Sequence, residues 1–122
     1  MTPAHHWRER LRQGLLSARK LRDTARIAAL RSALSAIDNA ETPAAVHLAT
    51  LPDGPIAGAA CGLGSTEVDR RVLTDAEIRN LIQTEIDERL QAADEYIVNG
   101  YHGRASDLRS QAAVLAQALR DV

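Results

Sequence analysis

The sequence predicts an all-α domain, an antiparallel four-helix fold built as two helical pairs joined by a long loop. Three observations carry this. Leu, Ile and Ala recur at spacings of three and four along four segments, which is the period of a helix with one buried face. Helix-start residues stand at the head of three of those segments. The chain has no Phe, one Trp and two Tyr, a poor supply for an aromatic-rich sandwich of strands but enough for helices packed over Leu, Ile and Ala. The predicted helices cover about 3–21, 24–40, 75–99 and 104–120 of one domain spanning residues 1–122, with the long loop over 42–73.

The first helix opens at Thr2-Pro3. Thr caps the first free amides, and Pro at the first helical position loses no hydrogen bond. Trp7, Leu11, Leu15 and Ala18 mark its buried face. Arg8, Arg10, Arg12, Arg19, Lys20 and Arg22 occupy much of the remainder and make it an amphipathic basic helix. Asp23 breaks it and caps the second helix, where Ile27, Leu30, Leu34 and Ile37 repeat and Ala28, Ala29, Ala33 and Ala36 let a partner come close. The pattern ends at Glu41-Thr42-Pro43, because Pro43 biases Thr42 away from helical angles.

Between Thr42 and Leu73 no helical period survives. The runs Val46–Leu51 and Pro55–Ala60 flank a Pro52-Asp53-Gly54-Pro55 turn and can pair as a small hairpin. Order returns at Thr74-Asp75-Ala76-Glu77, a capping box. Ile78, Leu81, Ile82, Glu85, Ile86, Leu90, Ala93 and Ile97 then carry a third helix to Asn99, stopped by Gly100. Ala105, Leu108, Ala112, Leu115 and Leu119 lay down the fourth.

The net charge is −1, which argues against attraction of the whole molecule to nucleic acid or acidic membranes. The charge is uneven, however. Up to Glu41 there are eight Arg or Lys against four acids, and after it seven against twelve. The third helix alone holds seven acids against two arginines. Its expected role is to pair with the basic first helix and neutralise it. The one cysteine, the lack of an apolar leader and the lack of about 18 consecutive apolar residues point to a cytoplasmic protein with no membrane partner.

No motif implies a cofactor, a metal or a catalytic residue. Gly62-Leu63-Gly64-Ser65-Thr66 lacks the Lys and the directly following helix of a phosphate loop, and reads as a turn. His5, His6, His47, His102 and Cys61 show no metal-ligand spacing. Cys61 has no local base. Glu85, Asp87, Glu88, Asp94 and Glu95 line a helix face where solvent or Arg89 balances them. The residues expected to make RNA or partner contacts are Arg8, Arg12, Arg19, Lys20 and Arg22, with Arg70 and Arg71 at the end of the loop.

Four segments in order resemble the GatB/YqeY family. Ala29-Leu30-Arg31-Ser32-Ala33-Leu34-Ser35-Ala36-Ile37-Asp38-Asn39-Ala40-Glu41 is similar to its second-helix motif, and Leu73-Thr74-Asp75-Ala76-Glu77 to its next helix start. Glu85-Ile86 with Arg89 and Tyr96, then Gly103-Arg104 and Asp107-Leu108, follow the order of its later helices. The resemblance implies a helical unit like that in the B subunit of the glutamine-dependent Asp-tRNA/Glu-tRNA amidotransferase, where a following tail domain contacts tRNA. It departs from the family in three ways. The chain stops at Asp121-Val122 without that tail, Gln111-Ala112-Ala113-Val114 replaces a glutamate-rich stretch, and the 42–73 loop is long.

The function this implies is a non-catalytic helical binding or assembly module, with tRNA or an amidotransferase- or translation-related protein as partner. The alternatives are an accessory part of a carbon–nitrogen ligase using glutamine as amido-N-donor, and a homo-oligomeric helical protein without an RNA partner.

Overall fold

The computed structural model describes residues 2–42 and 71–121. Within them the chain forms four helices: α1 (Pro3–Leu21), α2 (Thr24–Glu41), α3 (Asp75–Val98) and α4 (His102–Asp121). The fold is the all-α four-helix domain expected from the periodicity. The expected hairpin over Val46–Ala60, Arg70, Cys61, His47 and the Gly62–Thr66 turn lie outside the described residues.

Local chemistry sets the helix ends. Thr2 accepts from the His5 amide at 3.2 Å, and Asp23 from the Arg26 amide at 3.1 Å. Thr74 and Glu77 complete a reciprocal capping box, each backbone amide donating to the other's side chain at 3.1 Å. The two tight corners use one device. At the end of α3 the Tyr101 amide reaches the Tyr96 carbonyl (2.8 Å) and the Gly100 amide reaches that of Ile97 (3.0 Å), with Gly100 at φ 84°. At the end of α1 the Asp23 amide reaches Ala18 (3.0 Å) and the Arg22 amide reaches Arg19 (3.2 Å). Here Arg22 holds the left-handed position, at φ 56°, where glycine is the usual occupant.

That substitution is testable. A side chain with a Cβ pays a steric penalty in the left-handed region that glycine avoids, partly offset by the greater freedom of glycine in the unfolded chain. Arg22→Gly should therefore raise stability by about 0.5–1 kcal/mol, read as a thermal midpoint a few degrees higher. An unchanged or lower midpoint would mean that the corner carries no strain.

The helices pack around α2. It lies against α1, α4 and, less extensively, α3, while α3 and α4 form the most extensive pair. The core joins Trp7 and Leu11 of α1, Leu30, Ala33 and Ile37 of α2, Leu73, Ile78, Ile82 and Ile86 around α3, and Leu115 of α4. Fully buried alanines at 29, 33, 93, 105 and 112 permit the close approach. Leu90, expected in the buried stripe of α3, is 43% exposed. The fourth helix starts at His102, two residues before its expected start, because Tyr101 closes the preceding corner.

The long connection leaves and returns at one place. The Arg71 amide donates to the Glu41 carbonyl at 2.9 Å, so residues 42 and 71 lie side by side at the end of α2. Leu73 then enters the core, only 2% exposed.

Candidate functional site

The side chains available for binding emerge once those used inside the fold are set aside. Arg8 is used inside. Its guanidinium donates to Asp38 (Nε at 3.0 Å, Nη2 at 2.6 Å) and to both carboxylate oxygens of Glu41. The Arg8 side chain is only 16% exposed and that of Glu41 10%. The Glu41 hydrogen bond is the main cause holding the Arg8 pKa above its ordinary value in spite of burial. Arg8, expected among the contact residues, is thus a clamp between α1 and α2.

Most other cations are also engaged. Arg26 pairs with Asp23, Arg71 with Glu77, Arg79 with Asp75, Arg89 with Glu85 and Arg109 with Asp94. Arg10 donates to the Asp121 carbonyl (2.8 Å), Arg120 to Gln117 (2.8 Å), and Arg104 lies over the Tyr96 ring. What remains is Arg12, Arg19, Lys20, Arg22 and Arg31, all exposed and without an ion-pair partner among the described residues. All five belong to the α1–α2 hairpin. Four of them are expected contact residues, and Arg31 joins the set. Arg71 is exposed but paired with Glu77, and so is not among them.

The geometry of this face follows from helix period. Arg12, Leu16 and Lys20 succeed one another at steps of four, and Arg19 follows Leu16 by three, so the three cations ring one apolar side chain. Leu16 is 57% exposed.

The expected neutralisation of α1 by the acidic helix does not occur. Among the described residues no ion pair joins an α1 cation to an α3 carboxylate. The reason is topological. α3 packs chiefly on α4, so Asp75, Glu85 and Asp94 meet arginines of α3 and α4, and α1 touches α3 only sparingly.

One α1–α3 contact is the Trp7 indole N–H donating to Asp75 Oδ1 at 2.8 Å. Arg79 holds the other Asp75 oxygen at 2.7 Å and lies 5.4 Å from the Trp7 ring centroid. A second polar chain crosses three helices: Ser32 of α2 donates to Glu85, Arg89 also donates to Glu85, and Arg89 Nε donates to Gln111 of α4 at 3.0 Å. Among the described residues no buried side-chain polar atom lacks a partner.

The capped start of α3 carries a pH dependence. The Trp7 hydrogen bond, aided by Arg79, holds the Asp75 carboxyl below its ordinary 3.8. The Thr74 amide, aided by Arg71, holds Glu77 below 4.5. Both native values are depressed, so the unfolded chain binds more protons in this range and the stabilisation is present in full above pH 4.5. It fades as pH falls through the native values. An acid titration followed by Trp7 fluorescence should show the wild type losing stability below about pH 4, with Asp75→Asn flattening part of that loss. An identical acid profile in both proteins would contradict the assignment.

Two further features bear on chemistry. A cleft of about 310 Å³ runs between α1 and α4 over α2, with Arg10 and Arg26 at its rim and Leu11, Leu30 and Val114 on its floor. Among the described residues no three His, Cys, Asp or Glu side chains gather where they could hold a metal ion. No described helix is long and apolar enough to cross a membrane. No protein-family model matches the chain, and no curated protein or solved structure matches it either.

Proposed function

We propose that the chain is a non-catalytic helical binding module whose contact surface is the basic outer face of α1, and that its partner is the phosphate backbone of an RNA. One observation carries the reading. Arg12, Arg19, Lys20 and Arg22 stay exposed and without ion-pair partners among the described residues, while the cations of the second helical pair are engaged within the fold. Holding four like charges on one hairpin costs repulsion, which a polyanion relieves by displacing its counterions. The resemblance to the GatB/YqeY family makes tRNA the class to test first. With three aromatic rings in the chain, base stacking has little material, so binding is to backbone and shape rather than sequence.

Affinity in the range of about 10⁻⁴–10⁻⁶ M follows, without preference among tRNAs. Filter binding across a salt series should give a log–log slope of about −3 to −4 for four phosphate contacts. Arg12→Glu with Arg19→Glu should flatten that slope by about two and weaken binding at least tenfold. The reading falls if the wild type fails to bind at low salt, or if the double reversal binds as well as the wild type.

A further inference from the structure

The charges left over after internal pairing have opposite signs on the two hairpins. The first carries the five cations that have no ion-pair partner among the described residues. On the second, Asp87, Glu88 and Glu95 of α3 and Asp107 of α4 are exposed and without a cation partner among the described residues. Glu9 is the exception on α1. The α3 acids lie on its outward face, opposite the stripe formed by Ile78, Ile82, Ile86 and Ala93.

The two faces also match in spacing. Arg12 and Arg19 are seven residues apart, as are Glu88 and Glu95, and seven residues make two turns, about 10.5 Å. Laid antiparallel, the two helices bring Arg12 opposite Glu95 and Arg19 opposite Glu88. The same register sets Lys20 opposite Asp87 and the exposed Leu16 opposite the methylene stem of Gln91. Inside one molecule no such pairing forms among the described residues, because α1 touches α3 sparingly, with Trp7 against Asp75 and Arg79. Two molecules face no such restriction.

We infer that the outer face of α1 docks, antiparallel, on the outer face of α3 of a second copy of this chain. The contact is mainly electrostatic, with Leu16 at its centre, so it is weak and dissolves in salt. It engages the cations assigned above to RNA, and the second copy and a polyanion therefore compete for α1. By linkage, each weakens the other's binding to the same extent. The two readings fail separately, since self-association is measured with no RNA present.

Sedimentation equilibrium provides the test, using the wild type, an α1 variant (Arg12→Glu with Arg19→Glu) and an α3 variant (Glu88→Lys with Glu95→Lys). All four positions are exposed, and circular dichroism checks that the variants remain helical. At about 20 mM salt the wild-type mass should rise with concentration, and at about 0.5 M salt it should not. Each variant alone should associate at least about tenfold more weakly. An equimolar mixture of the two should associate again, because the reversed faces are complementary to each other. A surface that served only polyanions would give no such rescue. The proposal is overturned if the wild type stays monomeric at low salt, if its association ignores salt, or if the mixture associates no better than either variant.

Discussion

Trp7→Ala should cost about 3–5 kcal/mol, the usual range for removing a large buried aromatic side chain. Trp7 is 1% exposed and packs in the core from the start of α1. Its loss opens a cavity in the core and cuts the indole hydrogen bond to Asp75 of α3. A domain of this size has a total of about 5–15 kcal/mol to lose, so urea unfolding should show a much earlier midpoint with an unchanged slope. Trp7→Phe separates the two contributions. It keeps most of the ring's packing but loses the N–H donor and part of the ring's volume, while Asp75 retains Arg79 and solvent. A cost near 1 kcal/mol is expected for that variant. A cost below about 1 kcal/mol for Trp7→Ala would place α1 at the margin of the fold rather than in its core.

Arg8→Met should be the second most damaging of the substitutions considered, at about 2–3 kcal/mol. The side chain keeps its apolar length but loses charge-assisted hydrogen bonds to Asp38 and Glu41 in a setting where water replaces them poorly. The control is Asp38→Asn. Asp38 is 57% exposed at its side chain, and an exposed pair contributes less than about 1 kcal/mol. Equal costs for the two variants would mean that Glu41 is not the principal partner of Arg8. RNA binding by Arg8→Met should match the wild type once both are folded, since this arginine faces α2 rather than solvent.

The contrast between Arg8 and Arg12 shows what a sequence can and cannot convey. Both are arginines on one helix, four residues apart. One is a structural clamp because Asp38 and Glu41 come to rest beside it, about thirty residues further on. The other is exposed and has no ion-pair partner among the described residues. Local signals, by contrast, read through well. Thr2, Asp23, the Thr74–Glu77 box and Gly100 act on amides within five residues, so they mark the helix ends without knowledge of the fold. Ile37, Ile78, Ile82 and Leu115 were likewise visible as core, because burial follows the helical period.

Which helix each face meets was not visible in the same way. Opposite net charge suggested that α1 pairs with α3, but apolar burial is the larger effect and places α3 on α4. The Trp7–Asp75 bond spans 68 residues of sequence and has no local signature. Arg22 in a left-handed conformation is equally silent in composition. Its one hint is that Asp23 must close α1 and cap α2 at once, which demands a tight corner.

The central claim is that the unengaged cations of α1 form the RNA-contacting surface, and amide NMR tests it most directly. An isotope-labelled sample titrated with tRNA at low salt should show shift changes centred on Arg12, Leu16, Arg19, Lys20 and Arg22. The amides of Asp87, Glu88 and Glu95 on α3 should move only as far as a competing second copy is displaced, and should hold still in a Glu88→Gln, Glu95→Gln variant, which weakens that contact without adding cations to α3. Changes centred on α3 or α4 in that variant, or none anywhere, would contradict the account.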